Sequence, residues 1–318
     1  MKCFGVMLLL LCLSGGLTAQ VQKNVFVPDC GELRAQFTAE EAATVTHLAV
    51  SGKLNAIDFR VLRDEFKSLQ LLDLANAEIR MYVGKKGTYL EGKQYVYPLN
   101  CVPAYAFYGN KNLKQVTLPT KLLNIEDAAF LGCDELQIVQ LKKKKPANLL
   151  DCALNDSLVT VFVPLGSRDA YWRKEKWQHF NILEGDPVRV SVTLSEPGTL
   201  EAEVRKSGYR LDQVHVLSVK GSLDLSDFKE IRDNMPNLVS IDLSGTDNGR
   251  IPEFTFSQKR YLMFVKLPHT LKGIGQRAFS GCIHLTGTLV LPASVENIAE
   301  DAFLGCTRLK RVQVGASH

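Results

Sequence analysis

The chain has 318 residues, 46% of them hydrophobic, and a formal net charge of +4. This length allows two domains with packed cores. The nearly balanced charge argues against nucleic-acid binding and against attachment to an anionic membrane surface.

Residues 1–19 predict a secretory signal peptide rather than part of the fold. Lys2 precedes an apolar run over residues 4–11, and Ala19 places a small residue at the expected cleavage site. This run is too short to span a bilayer, and the sequence has no longer one, so no integral membrane segment is expected. Cys12 follows a bulky leucine where a lipoprotein signal has a small residue, which disfavours a lipid anchor. We expect a secreted or cell-surface protein.

Each half of the chain opens with the same predicted elements. They are a helix-like stretch (residues 35–43 and 200–207), a strand (47–50 and 215–219) and a helix (58–66 and 227–234). Asn55 and Asp58, like Asp224 and Asp227, have the spacing of a capping box at a helix N-terminus. The acids could be read as catalytic carboxylates, but capping explains their positions better.

An insertion present only in the first half is the best clue to function. Leu74 and Phe107 are 33 positions apart, whereas their counterparts Leu243 and Phe256 are 13 apart. The extra segment, residues 80–100, has strand-like runs at 81–83 and 94–97 that predict a hairpin. Tyrosine and positive charge on a protruding loop suit contact with a protein or glycan. The predicted partner-binding residues are Tyr82, Lys85, Lys86, Tyr89, Lys93, Tyr95 and Tyr97. The alternative is an inert loop that packs back on the fold.

One apolar pattern occurs five times: an apolar residue, a gap, Phe, and Leu-x-x-Val-x-Leu or a close variant of it. Within each half the phenylalanines are 23 or 24 residues apart, at Phe107, Phe130, Phe256, Phe279 and Phe303. A fixed period of this length predicts a solenoid of the leucine-rich-repeat kind, with one short strand per coil and the Phe between coils.

Cysteines recur three residues after three of these phenylalanines. Cys133, Cys282 and Cys306 are predicted to be small buried residues, not metal ligands or disulfide partners. Asn110 and Lys259 occupy this place in the first repeat of each half, where weaker burial is expected. The sequence does not pair the other three, which are Cys30, Cys101 and Cys152.

The first half ends in a segment without the repeat pattern, residues 159–183. It predicts a strand at Thr160–Val163 and a helix over residues 167–176 with Ser167 as N-cap. Trp172 and Trp177 could form a sugar-stacking platform, but a cover for the end of the repeat stack is favoured. The lysine run at residues 142–145 is interpreted as a solvated loop, with anionic-ligand contact as the alternative. We therefore expect domains at 20–185 and 186–318.

The repeats resemble the BspA-type leucine-rich repeats of bacterial surface proteins. Residues 274–314 carry this likeness, with Ala278-Phe279-Ser280-Gly281-Cys282 and Ala302-Phe303-Leu304-Gly305-Cys306 as its clearest elements. Residues 159–183 are similar to segments that close such arrays. The resemblance implies an α/β leucine-rich-repeat solenoid in two tandem halves, with short strands and short helices or turns. It also implies adhesion or recognition outside the cell.

The sequence shows no catalytic, cofactor or metal motif. The predicted function is therefore a non-catalytic binding protein for an extracellular protein or glycan. The alternative is a structural or accessory part of a cell-envelope assembly that associates through the C-terminal coil around Leu309, Val312 and Val314. A secreted hydrolase is a distant third and would need a cleft that gathers acids and a histidine.

Overall fold

The computed structural model describes residues 21–91, 94–155 and 158–315. The predicted signal peptide and Lys93 lie outside these ranges. The chain divides between Asp186 and Pro187 into two compact units, the first and the second unit.

The first unit is built on one parallel sheet. Its strands are β1 (Gln22–Val27), β2 (His47–Leu54), β3 (Leu71–Asp73), β4 (Ala77–Ile79), β5 (Tyr82–Gly84), β6 (Tyr95–Tyr97), β7 (Cys101–Val102), β8 (Gln115–Leu118), β9 (Asn124–Ile125), β10 (Ile138–Leu141), β11 (Asn148–Leu149), β12 (Thr160–Val163) and β13 (Asn181–Glu184). Its helices are α1 (Ala39–Thr44), α2 (Ala56–Glu65) and α3 (Arg168–Trp172), with 3-10 turns at Leu33–Gln36 and Trp177–His179. The sheet order is β1-β2-β3-β8-β10-β12-β13 with β4 beside β2, and a small parallel sheet has the order β11-β9-β7.

The second unit repeats this plan. Its strands are β14 (Arg189–Thr193), β15 (Val216–Gly221), β16 (Ser240–Thr246), β17 (Arg250–Ile251), β18 (Phe264–Lys266), β19 (Gly273–Ile274), β20 (Gly287–Leu291), β21 (Asn297–Ile298) and β22 (Leu309–Val314). Its helices are α4 (Leu200–Lys206) and α5 (Leu225–Asn234), with a 3-10 turn at Leu211–Gln213. The parallel sheets have the orders β14-β15-β16-β18, β17-β19-β21 and β20-β22.

The repeated phenylalanines stack between coils as the period predicts. Ring centroids are 5.0 Å apart for Phe107 and Phe130, 4.9 Å for Phe256 and Phe279, and 5.2 Å for Phe279 and Phe303. The rings in each pair are nearly parallel, and the first four are buried. Each coil therefore completes the core of the one before it.

The predicted capping boxes are present on α2 and α5. The buried Asp58 carboxylate accepts hydrogen bonds from the amides of Gly31, Leu33 and Asn55, at 2.8, 3.0 and 2.9 Å. Asp227 repeats this arrangement with Gly198, Leu200 and Asp224. Each carboxylate fastens the preceding loop to its helix, so these acids are structural.

Two helix predictions for the first unit need correction. Residues 35–43 do not form one helix, because Thr38 starts a new one: its hydroxyl and the Glu41 carboxylate form a capping box for α1. Ser167 precedes α3, which ends at Trp172, but it does not cap that helix, because its hydroxyl donates to the carbonyl of Pro164.

The repeated cysteines are structural, as predicted. The Cys133 thiol donates to the carbonyl of Phe107 in the preceding coil at 3.0 Å, and Cys282 and Cys306 do the same with Phe256 and Phe279. In the described ranges all six cysteines have free thiols. The expectation of weaker burial fits Asn110 but is wrong for Lys259, which is only 3% exposed. Its ammonium reaches the C-terminal end of α5.

Residues 159–183 cover the end of the first repeat stack. Trp177 is fully buried, and its indole N–H donates to the carbonyl of Ala147 at 2.8 Å. Tyr171 packs edge-on against it at 5.4 Å and donates to the carbonyl of Lys143. Trp172 is 62% exposed. The two tryptophans therefore do not share a stacking platform, and the cover interpretation fits the structure.

Candidate binding hairpin of the first unit

The insertion forms an antiparallel hairpin that leaves and rejoins the solenoid at one point. Strands β5 and β6 pair Tyr82 with Tyr97, Val83 with Val96 and Gly84 with Tyr95. At the root, the amide of Asn100 donates to the carbonyl of Ile79 at 2.9 Å. The described residues of this segment, 80–91 and 94–99, are called the hairpin from here on; they leave the coil and rejoin it at one point.

The two faces of the hairpin differ in chemistry, because side chains alternate along each strand. Tyr82, Tyr95 and Tyr97 share one face. The opposite face is aliphatic and open to solvent, with Val83 49% and Val96 56% exposed. The tyrosines predicted to contact a partner therefore lie on the less accessible side.

Tyrosine hydroxyls hold the hairpin turn in place. The amide of Tyr89 donates to the Tyr97 hydroxyl at 2.9 Å, and the amide of Lys86 donates to the Tyr82 hydroxyl at 3.3 Å. A Cβ on Gly87 would lie 2.4 Å from the Tyr97 ring, so the backbone passes directly over it. Tyr97 is only 2% exposed. Its predicted role as a contact residue does not fit this burial, and Tyr97 supports the hairpin instead.

The hairpin is fastened to α2 and to the first repeat. Thr88 is buried and its hydroxyl donates to the carbonyl of Ala104. The Arg63 guanidinium donates to the carbonyls of Thr88 and Tyr105, at 2.6 and 2.9 Å. These bonds fix the hairpin relative to the repeats of its own unit.

Four rings form a continuous row, the tyrosine row, made of Tyr95, Tyr89, Tyr105 and Tyr108. Tyr89 stacks on Tyr95 at 4.7 Å, Tyr105 meets Tyr89 edge-on at 5.2 Å, and Tyr108 meets Tyr105 at 5.7 Å. Tyr108 is 41% exposed and the other three are half-buried. The sequence did not single out Tyr105 and Tyr108, since they belong to the repeat rather than to the insertion.

Three carboxylates lie near the tyrosine row, those of Glu91, Glu126 and Asp127. Burial and then the Glu126 carboxylate raise the pKa of Tyr95, while burial, Tyr89 and Asp127 raise the pKa of Tyr105. Both phenols are therefore neutral hydrogen-bond donors at physiological pH. Asp127 is exposed, and Glu126 is buried and accepts a hydrogen bond from the side-chain Nδ2 of Asn124 at 3.2 Å.

The predicted basic residues stand apart from this chemistry. Lys85 and Lys86 are exposed in the turn after β5 and form no ion pair with another described residue. The lysine run at residues 142–145 is not one patch, because Lys142 pairs with Asp186 at 2.5 Å and Lys143 donates to the carbonyl of Leu122.

Metal sites and membrane-spanning helices were also sought among the residues that the structure describes. No three His, Cys, Asp or Glu side chains within it are grouped so as to hold a metal ion. None of its helices has the length and apolar character needed to cross a membrane.

Comparison with known proteins identifies the repeats. The model of the BspA type leucine rich repeat region matches six copies, over residues 96–160 and 231–318. The predicted resemblance and the α/β leucine-rich-repeat fold are confirmed. No curated protein sequence gives a significant match.

Three solved structures show limited similarity. A leucine-rich repeat protein from Bacteroides ovatus is 15% identical with a TM-score of 0.28, over 99% of this chain and 90% of that one. A leucine rich cell surface protein from Faecalibacterium prausnitzii is 14% identical with a TM-score of 0.23, over 96% and 93%. The pneumococcal vaccine antigen PcpA is 14% identical with a TM-score of 0.22, over 99% and 81%.

Proposed function

Since both units are built of BspA-type leucine-rich repeats, we propose that this protein is a non-catalytic binding protein that is secreted or held at the cell surface. The hairpin is its main recognition element, for an extracellular protein or glycan. The extracellular location rests on the predicted signal peptide at residues 1–19.

One observation carries this proposal: the hairpin is an ordered addition to a coil that closes without it. In the second unit only residues 247–249 connect β16 to β17. In the first unit the corresponding connection is longer, anchored by Arg63 and Thr88, and still exposes Met81, Val83 and Val96 by 61%, 49% and 56%. An anchored loop with exposed residues loses little conformational entropy when it binds a partner.

A deletion tests the proposal. Removing residues 80–99 joins Ile79 to Asn100, whose main chains already share a hydrogen bond. The purified protein and this variant are compared on arrays of extracellular-matrix proteins, mucins and glycans, with circular dichroism to confirm folding. We expect a ligand that the intact protein binds and the variant does not. Equal binding by both proteins would move the site to another surface.

A structural role in a cell-envelope assembly is the second candidate. The last coil of the second unit exposes Ile298 by 42%, Leu304 by 55%, Val312 by 36% and Val314 by 56%. Exposed apolar side chains that share a face mark interaction surfaces, and Val312 and Val314 lie on one face of β22. Concentration-dependent self-association without any ligand in the arrays would favour this role. Replacing Val312 and Val314 by Lys should then restore the monomer.

A further inference from the structure

The tyrosine row has hydroxyl groups and ring surface that are not taken up by contacts within the protein. The hydroxyls of Tyr89, Tyr95, Tyr105 and Tyr108 form no hydrogen bond to any residue of the described ranges, and each ring keeps part of its surface in solvent. Tyrosine rings offer a π face with negative potential and a polar tip. The row therefore presents exposed ring surface and hydrogen-bonding groups beside each other.

We propose that the tyrosine row binds a neutral carbohydrate chain, with the exposed Asp127 carboxylate as a hydrogen-bond acceptor beside it. The inference rests on the proposed function and names the ligand class of the hairpin. Sugar rings carry an apolar C–H face and a rim of hydroxyls, which match the ring faces and the phenol and carboxylate oxygens in turn.

The carboxylates near the tyrosine row favour neutral sugars over anionic ones. The carboxylates that act on Tyr95 and Tyr105 are those of Glu126, Asp127 and Glu91. A sulfated or sialylated chain placed along the row would be repelled by them.

The row is also held in shape before any ligand arrives. Tyr105 has a positive φ of 58°, the left-handed conformation found at the same corner in other coils, and its carbonyl accepts from Arg63. The amide of Tyr89 is fixed by the Tyr97 hydroxyl. Preorganised rings lose little freedom on binding, which favours affinity.

The second unit supplies matched substitutions. Phe254 occupies the place of Tyr105 with a φ of 56°, and Ser257 occupies the place of Tyr108. Tyr105→Phe with Tyr108→Ser thus introduces residues that this corner already accommodates. The variant loses both phenol hydroxyls and the exposed ring of Tyr108.

Binding is measured by calorimetry with neutral oligosaccharides of glucose, galactose, mannose and xylose, beside heparin fragments and sialylated glycans. We expect a neutral oligosaccharide to bind, and Y105F/Y108S to weaken it at least about tenfold, which is about 1.4 kcal/mol. The matched control Tyr209→Ser removes a tyrosine of the second unit that is 40% exposed and should bind as the unaltered protein does. A further variant, V83T/V96T, tests the aliphatic face of the hairpin.

The outcomes separate the inference from the proposed function. Binding lost on deletion of residues 80–99 but kept by Y105F/Y108S would overturn the tyrosine row and leave the hairpin as the recognition element. Loss confined to V83T/V96T would place the glycan on the aliphatic face of the hairpin and overturn the inference. Binding of anionic glycans alone, or of no glycan, would overturn it as well. A neutral glycan bound equally by all variants, the deletion included, would overturn both proposals.

Discussion

Lys259 is buried where other repeats place a cysteine, and this gives a sharp prediction of pH dependence. Its ammonium donates to the carbonyls of Arg232 and Met235, at 2.8 and 2.7 Å, at the C-terminal end of α5. Burial lowers the pKa of Lys259 from 10.5 to about 8. A neutral amine has two N–H donors, enough for both carbonyls.

The sign of the effect follows from proton linkage. Because the folded pKa lies below the unfolded value, the unfolded chain binds more protons between about pH 8 and pH 10.5. The free energy of unfolding therefore rises with pH across this window. At 1.36 kcal/mol for each pKa unit, the Lys259 contribution to this rise is about 3 kcal/mol.

Guanidinium unfolding at a series of pH values across this window measures the contribution. Lys259→Met keeps a side chain of similar length and removes the titration. We expect the free energy of unfolding of the unaltered protein, measured relative to that of K259M, to rise by about 3 kcal/mol as the pH increases. The control is Lys144→Met, which changes an exposed lysine. The difference in free energy of unfolding between the unaltered protein and K144M should not change with pH. A constant difference between the unaltered protein and K259M would refute the reasoning.

Three further predictions concern stability. Phe279→Ala removes a fully buried ring from between two neighbouring rings at 4.9 and 5.2 Å and should lower the free energy of unfolding by about 3–5 kcal/mol. Phe303→Ala removes a half-buried ring with one such neighbour and should cost clearly less. Equal losses in chemical unfolding would contradict the stacking of the phenylalanines. Gly52 has a φ of 91°, and an added Cβ would lie 2.1 Å from a carbonyl oxygen of β1, so Gly52→Ala should speed hydrogen exchange in β1 and β2; unchanged protection would argue against this clash. Trp177→Ala should lower the melting temperature strongly and Trp172→Ala hardly at all, and the reverse order would refute the cover.

The sequence predicts what depends on local rules or on a fixed period. The 23-residue spacing gives the coil and the stacked phenylalanines, because every repeat meets the same neighbours. The spacing of Asn55 and Asp58 gives the helix start at α2, since capping involves only adjacent turns. The alternation in residues 81–83 and 94–97 predicts the hairpin, since its two strands are close in sequence.

The remaining features depend on contacts distant in sequence. Lys259 is buried because its ammonium bonds to the carbonyl of Met235 at the end of α5, and Met235 lies 24 residues earlier in the sequence. The composition of the insertion singles out Tyr89 and Tyr95 but not the repeat tyrosines that complete their row. Comparison of the two halves would have singled out Tyr105 and Tyr108, because their counterparts are Phe254 and Ser257.

The duplication makes the hairpin separable from the fold. Ordering a residue costs about 1–2 kcal/mol of backbone entropy, so an insertion of this length must offset a large cost with its own contacts. It does so through the buried Tyr97, which bonds within the hairpin, and through the bonds that join Thr88 to Ala104 and to Arg63 of the solenoid. The second unit shows that the coil needs only three residues at this place. Loss of binding on deletion would therefore report on recognition, because the solenoid does not depend on the hairpin to close.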